Sequence, residues 1–280
     1  LNAVAGMTFE KGTGETTAMT VTNFPTDYTK DNDMNLAIGT PNIESSTTKQ
    51  TLESFLGRIN YTLMDKYLFT ASMRTDGSSS FAKNHKWATF FSGAFAWRAS
   101  EEKFIQDLNI FSNLKFRLSF GQTGNQAIGA YRTLTVLQAA KYPYSGSLES
   151  GLSTIDWRGP TNPDLKWETT DQFNAGIDMG FMDNRLQFTV DYYHKKTRDL
   201  LQTVTIPASS GYKQMMVNSG NVTNEGLEFT LNYNILQKTP VKWNISANLS
   251  FNKNSIGGLD GDQFATSLLF STLIAVNGRK

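Results

Sequence analysis

The sequence predicts an all-β fold, namely an antiparallel transmembrane β-barrel that is incomplete and supplies about nine or ten strands of a larger barrel. Three observations predict it: apolar and polar side chains alternate, the alternating segments are long, and short turns alternate with long polar connections. The alternating segments run to about ten residues, whereas soluble strands average about five or six and tilted membrane strands need about 9–11. A soluble β-sandwich also alternates, so alternation alone leaves that alternative open.

The alternation has the two-residue period of a strand rather than the period of a helix. It is clearest where Leu114, Phe116 and Leu118 alternate with Lys115 and Arg117. A weaker strand of the same kind is predicted at 2–10. Further alternating runs lie at 55–63, 67–75, 91–97, 173–181, 186–193, 227–234 and 242–252.

Connections of two lengths separate these strands. Short turns are predicted at 64–66, 182–185 and 234–240, and long polar stretches at 11–50, 77–86, 124–165 and 200–216. Outer-membrane barrels have short periplasmic turns at one rim and long external loops at the other. The connection 99–112 is intermediate, and Ser100-Glu101-Glu102-Lys103 predicts a cap that opens a helical turn.

The two faces of the predicted strands suit lipid on one side and water on the other. In hydrocarbon every backbone polar group must be paired within the protein, which leaves helices and closed barrels. No apolar run reaches the roughly 18 residues of a membrane helix. Arg58, Lys115 and Arg117 are expected on the lumen face, because a charge on the lipid face costs about 2–4 kcal/mol near mid-bilayer.

Aromatic residues near the strand ends of the apolar face predict a girdle at the membrane interfaces. The other interpretation is that aromatic residues simply favour strands. The residues concerned are Tyr61, Tyr67, Trp97, Phe120, Phe181, Tyr192, Tyr233, Trp243 and Phe251.

The composition argues against several classes of function. The net charge of +1 does not indicate a nucleic-acid partner, and the absence of cysteine excludes disulfides and thiolate metal sites. The histidines, His85 and His194, are far apart and are interpreted as surface or lumen residues. Since neither a nucleophile elbow nor a phosphate-binding glycine loop is present, we predict no enzyme, no cofactor and no metal.

Four segments resemble one known family. The run 91–98, FSGAFAWR, followed by Ser100-Glu101-Glu102, resembles a signature of the SusC/RagA family of TonB-dependent transporters. Further segments that resemble this family lie at 114–125, 162–168 and 218–228. The matches run in family order from about residue 51 to residue 252, which makes them specific together although each is weak alone.

The resemblance implies the rest of a transport system. It implies a plugged barrel of the 22-stranded size class, in the outer membrane of a Gram-negative, Bacteroidetes-like cell. It also implies TonB-driven import of glycan or peptide oligomers, with a SusD-like surface lipoprotein as lid. Residues 1–280 are then expected to be part of the TonB-dependent receptor β-barrel domain, with the plug domain and the C-terminal strands absent from the sequence. A passive porin or adhesin barrel and a soluble carbohydrate-binding β-sandwich stay as alternatives.

Aromatic residues of the long connection 124–165 are the candidate substrate-binding residues, namely Tyr131, Tyr142, Tyr144 and Trp157. Their rings could stack on sugars, or they could pack the loop against its neighbours or against the lipoprotein lid. Another segment, Asp76-Gly77-Ser78-Ser79-Ser80, is predicted to be a plain flexible turn.

Overall fold

Thirteen β-strands form within the residues that the computed structural model describes, which are 1–28, 32–134, 137–145, 147–154, 159–236 and 243–258. The strands are β1 (Asn2–Thr20), β2 (Asn42–Leu63), β3 (Tyr67–Ser78), β4 (Trp87–Arg98), β5 (Phe111–Asn125), β6 (Leu137–Tyr144), β7 (Ser147–Thr154), β8 (Glu168–Phe181), β9 (Leu186–Arg198), β10 (Leu201–Thr205), β11 (Gln214–Asn218), β12 (Asn221–Leu236) and β13 (Trp243–Gly257).

Helical structure is limited to short turns in the described ranges. Three 3₁₀ turns lie at Met34–Leu36, Ala99–Glu101 and Ala208–Ser210, and α1 (Lys103–Gln106) is one four-residue α-helical turn. No described helix is long and apolar enough to cross a membrane, and this observation does not bear on crossing by strands.

Nine strands form one antiparallel sheet in the order β1-β2-β3-β4-β5-β8-β9-β12-β13, and β6–β7 and β10–β11 pair as separate hairpins. Among the described connections of the large sheet, 64–66, 99–110 and 182–185 lie at one end, which we call the turn end. The connections 21–41, 79–86, 126–167 and 199–220 lie at the other, which we call the loop end. The predicted alternation of short and long connections is confirmed for these connections, whereas 234–236 of the predicted turn 234–240 belong to β12 and 237–240 lie outside the described residues.

The sheet has an exposed apolar face, as expected for a barrel wall. Phe55, Ile59 and Phe91 keep 45%, 52% and 53% of their surface. Rings pair across neighbouring strands on this face, for example Trp97 and Phe116 with centroids 5.5 Å apart. A soluble sandwich would bury these side chains against a second layer, so the sandwich alternative is wrong.

Two predicted loops contain more strand than expected. The stretch 11–50 was predicted to be a loop, but β1 and β2 stay paired as far as Thr20 and Asn42. The ribbon is exposed on both faces and rich in Thr and Ser, so it has no buried side to produce apolar alternation. The loops after β5 and β9 likewise contain the hairpins β6–β7 and β10–β11.

One junction of the sheet opens toward the loop end. The pairs between β3 and β4 continue to Gly77↔Trp87, and those between β5 and β8 continue to Asn125↔Glu168. Between β4 and β5 the ladder stops at Ser92↔Gly121. The strands therefore separate beyond this pair, and a cavity occupies the opening.

At the turn end, the connection 99–110 folds onto the neighbouring turn. The helical turn predicted to follow the segment Ser100-Glu101-Glu102-Lys103 is present as α1, but the residue before it, Glu102, makes no side-chain cap hydrogen bond. The Glu102 carboxylate instead accepts hydrogen bonds from Lys66 Nζ at 2.7 Å and Tyr67 Oη at 2.8 Å. The hydrogen bond from Lys66, followed by that from Tyr67, lowers the pKa of Glu102. The predicted helical turn is therefore confirmed, and the predicted side-chain cap is wrong because Glu102 binds the neighbouring turn instead.

Candidate functional site

The opening between β4 and β5 holds a cavity of about 410 Å³ at the loop end. It is bounded by strand residues of β2 to β5 and by the connection after β5. Its lining includes Leu52, Ser72, Arg74, Asp76, Phe90, Ser92, Thr123, Gly124, Gln126 and Trp167.

A charged pair forms the polar side of the cavity. Arg74 Nε donates to Asp76 Oδ1 at 2.7 Å, and Arg74 Nη2 donates to Ser54 Oγ at 3.1 Å. The Asp76 side chain is 12% exposed, whereas that of Arg74 is 47% exposed. Asp76 therefore orients a guanidinium that keeps donors available for a solute, since Arg carries five N–H groups.

An apolar cluster forms the opposite side. Phe81, Phe90, Ile128, Leu165 and Trp167 are buried together. The Phe81 and Trp167 rings lie 4.9 Å apart, and Trp167 Nε1 donates to the carbonyl oxygen of Lys86 at 3.1 Å. The cluster packs residues of the loop-end connections against β4, so these connections have a defined position at the loop end of the sheet.

Gly124 allows one ring of this cluster to approach the backbone of β5. A Cβ atom at residue 124 would collide with the Phe90 ring. Phe90 keeps only 6% of its surface as a result of this close approach. Glycine at 124 is therefore a packing requirement of the cavity.

The segment around Trp167 is tied to the hairpin β10–β11. Asn162 Nδ2 donates to the Met216 carbonyl oxygen at 2.9 Å. Asn218 accepts from the Lys166 backbone N–H at 2.9 Å and donates to the Lys166 carbonyl oxygen at 2.8 Å. These bonds give Asn162 and Asn218 a structural role in joining the two segments.

The segment 76–80 is not the plain flexible turn that was predicted. Asp76, Ser78 and Ser80 are 9%, 2% and 3% exposed. Ser80 accepts a hydrogen bond from Gln50 Nε2 at 3.3 Å, and its carbonyl oxygen accepts from Thr133 Oγ1 at 3.4 Å. The small polar residues are needed because the connection after β5 packs on them.

The four predicted substrate-binding aromatics occupy different parts of the same connection. Tyr131 lies between β5 and β6, and its hydroxyl accepts from the Lys49 backbone N–H at 3.0 Å. Tyr142 and Tyr144 lie on β6, opposite Glu149 and Ser147, and Tyr144 is 67% exposed. Trp157 lies outside the described residues. The structure thus joins Tyr131 to β2 by a hydrogen bond and places Tyr144 at the surface.

Sequence reasoning did not select Arg74, Asp76 or Trp167 as site residues. The available signal was the Arg-x-Asp spacing, which places both charges on one strand face. Metal-binding geometry adds nothing here: among the described residues, no group of three or more His, Asp or Glu could hold an ion.

Comparison with protein families finds one match over most of the chain. The family model "TonB dependent receptor-like, beta-barrel" matches residues 3–271. The sequence is 41% identical over 227 residues to the TonB-dependent receptor SusC of Bacteroides thetaiotaomicron, covering 78% of this chain and 22% of SusC. It is 36% identical over 280 residues to the TonB-dependent receptor P26 of Formosa agariphila, covering 100% of this chain and 28% of P26.

A solved structure shows the same arrangement of strands. The structure of the RagAB peptide transporter superposes with a TM-score of 0.74 at 29% identity, covering 92% of this chain and 28% of that chain. The structure of the RagAB peptide importer in the "open-open" state also superposes with a TM-score of 0.74 at 29% identity, covering 93% of this chain and 28% of that chain. The chain thus spans about a quarter of the length of the relatives it matches.

Proposed function

The chain belongs to the TonB dependent receptor-like β-barrel family, and we propose that its parent protein imports oligomeric nutrients across the outer membrane of a Gram-negative, Bacteroidetes-like bacterium. Residues 1–280 are part of the barrel domain in this proposal. The plug domain and the remaining strands belong to other parts of the parent protein. The short coverage of SusC and P26 supports this division.

The observation that carries the proposal is the sheet itself. One face exposes apolar side chains, the other presents polar ones, and all the long described connections gather at one end. A wall of this kind separates lipid from a lumen and exposes its loops to the outside. A sheet with one apolar and one polar face is suited to forming the wall of a pore, so we propose transport and not catalysis.

Peptide or glycan oligomers are the substrate class that we propose. Arg74 and Asp76 supply a donor and an acceptor beside Trp167 and Phe90. Oligomers of both kinds offer hydroxyl, amide or carboxylate groups to such residues, together with apolar faces. RagAB, described as a peptide transporter, supports the peptide side of this class, and the likeness to SusC supports membership in the same transporter group.

The proposed partners are a SusD-like surface lipoprotein, the TonB complex and outer-membrane lipid. The lipoprotein would cover the loop end, where the large connections lie, and TonB would act on the plug. A passive porin or adhesin barrel is the second candidate, and it would need neither partner.

Uptake by the full-length protein tests the proposal. A strain lacking the gene is supplied with labelled peptide and glycan oligomers, with and without a functional TonB. We expect the intact gene to restore uptake of one class only when TonB is present. Uptake that persists without TonB would support the passive barrel instead.

The four loop aromatics remain proposed ligand contacts, and single substitutions test them. Tyr144→Ala and Trp157→Ala are expected to raise the concentration for half-maximal uptake if these rings stack on substrate. Tyr131→Phe is the comparison, because it removes the hydroxyl that binds Lys49 but keeps the ring. Uptake unchanged by Tyr144→Ala and Trp157→Ala would remove both from the ligand set.

A further inference from the structure

A group of charged side chains lies on the apolar face at the loop end of β8, β9, β12 and β13. We call it the rim patch. It consists of the cationic residues Lys196, Arg198 and Lys253, the histidine His194, and the carboxylates Asp171 and Glu225.

Strand register places the rim patch directly beyond the apolar band. Tyr192, Leu227 and Phe251 form one row across β9, β12 and β13. Two residues farther along each strand, on the same face, the next row is His194, Glu225 and Lys253. Lys196 and Arg198 continue that face of β9 toward the loop end.

The cations of the rim patch project farther into the surroundings than the carboxylates. The side chains of Lys253 and Arg198 are 77% and 48% exposed, and those of Glu225 and Asp171 are 35% and 26% exposed. Lys253 Nζ lies 3.1 Å from Glu225, and Arg198 Nε lies 3.0 Å from Asp171. The carboxylates thus hold the cations in place while the cations form the outer layer.

Lys196 is an additional cation in this layer. It is exposed, and it makes no ion pair or hydrogen bond with any residue that the structure describes. The rim patch therefore keeps a net positive charge, since three Lys and Arg residues face two carboxylates even with His194 neutral.

The sectors of the wall differ in charge on this face: the β1–β2 ribbon has Lys11, Lys49 and Glu53, whereas β3 and β4 have no charged residue there. On β3 and β4 the corresponding positions at the loop end of the same face are Thr75 and Thr89, whose hydroxyls lie 3.0 Å apart. The next pair is Gly77 and Trp87.

From this arrangement we propose that the rim patch binds the phosphate of an outer-leaflet lipid headgroup, specifically that of a phosphorylated glucosamine lipid of the lipid A type. The loop end faces outward in the proposed barrel, so the patch lies at the depth of outer-leaflet headgroups. Lys and Arg bind phosphate through charge-assisted hydrogen bonds. The neighbouring Tyr192, Leu227 and Phe251 would contact the acyl chains.

This inference rests on the outer-membrane placement proposed above but not on the transported substrate. Lipid binding and nutrient uptake are separate measurements, so either can fail without the other. The rim patch is also on the face opposite the cavity at Arg74 and Trp167, since that cavity opens between the polar faces of β3 to β5.

Native mass spectrometry of the full-length protein in detergent tests the proposal. The probes are monophosphorylated lipid A and the same lipid after removal of its phosphate. We expect the phosphorylated form to bind about tenfold more tightly. The triple variant Lys196→Gln, Arg198→Gln, Lys253→Gln is expected to lose this preference. A preference that survives in the triple variant would overturn the assignment, as would equal binding of both lipids by the unaltered protein.

Two single variants separate lipid recognition from folding. Lys196→Gln removes no ion pair among the described residues, so it should leave the fold intact and weaken phosphorylated lipid about fivefold. Lys195→Gln is the matched control, because Lys195 is the adjacent, exposed lysine on the opposite face of β9. Equal losses from both substitutions would show that overall charge, and not the rim patch, determines binding.

Discussion

Arg117 and Asp178 are joined by two parallel hydrogen bonds across β5 and β8. Nε donates to Oδ2 and Nη2 donates to Oδ1, both at 2.8 Å. Arg117 Nη2 also donates to Asp191 Oδ1 of β9 at 2.9 Å. A single guanidinium therefore connects three neighbouring strands on the lumen face, where the sequence predicted that Arg117 would lie.

Arg117→Lys is expected to destabilise the full-length barrel by about 1–2 kcal/mol, because an ammonium cannot make the planar two-bond contact. The loss would be measured as a lower temperature at which the folded band disappears on semi-native gels. Arg58→Lys is the matched control, since Arg58 lies on the same face of β2 and bonds to no described residue. A similar loss from both changes would contradict a specific role for Arg117.

Gly176→Ala is expected to disrupt the same network. A Cβ atom at residue 176 would collide with Asp191 Oδ1 and press on the Arg117 guanidinium. Overpacking of this kind costs about 1–3 kcal/mol. Gly57→Ala provides the comparison, because a Cβ there meets nothing within 4 Å. On semi-native gels, the folded band of Gly176→Ala should disappear at a lower temperature than that of Gly57→Ala. Equal temperatures for the two variants would argue against the predicted collision.

Trp167→Ala is expected to destabilise the packing of the loop-end connections without unfolding the large sheet. Removing a buried tryptophan costs about 3–5 kcal/mol, and Trp167 is 6% exposed in the cluster with Phe81 and Phe90. Limited proteolysis of the full-length protein should show faster cleavage within 126–167. Trp87→Ala is the control, since Trp87 is 51% exposed. Unchanged cleavage in Trp167→Ala would contradict the role of the cluster.

The Lys66–Glu102 contact is expected to weaken in acid. The pKa of Glu102 is lowered in the folded state from 4.5, chiefly by the hydrogen bond from Lys66. The contact therefore stabilises the turn end above pH about 4.5, and this stabilisation is lost as the pH falls through the lowered value. The protection factors of the amides in the turns 64–66 and 99–110, which correct the measured exchange rate for its intrinsic pH dependence, should fall in that range.

Glu102→Gln provides the control for the acid effect. This variant cannot form the charged contact, so its turn-end protection factors should already be lower at neutral pH and should change less in acid. If the unaltered protein and Glu102→Gln show the same pH dependence, another group is responsible.

The strand faces could be predicted from the sequence residue by residue. Phe116 and Arg117 lie on the expected opposite faces because lipid and lumen impose a two-residue period wherever the strand crosses the membrane. The polar ribbon beyond Glu10 could not be predicted in this way. It has water on both faces, so backbone pairing sustains it and no side-chain pattern marks it.

The cavity was also beyond sequence reasoning. Its position depends on where the β4–β5 ladder ends and on contacts between residues far apart in the chain, such as Trp167 with Lys86. The aromatics Tyr131 and Tyr144 were selected by residue type, and type alone cannot distinguish a ring that packs from a ring that projects into solvent.

The attachment of the connection 126–167 to a single strand pair has a consequence for how proteins of this family diversify. The connection 126–167 leaves β5 and enters β8 at their last pair, Asn125↔Glu168, and its hairpin β6–β7 pairs with itself. Insertions or exchanges within that hairpin would leave the strand pairs of the large sheet unchanged, because β6 and β7 pair only with each other. A graft that keeps Trp167 and Gly124 could therefore give the same sheet a different surface at its loop end.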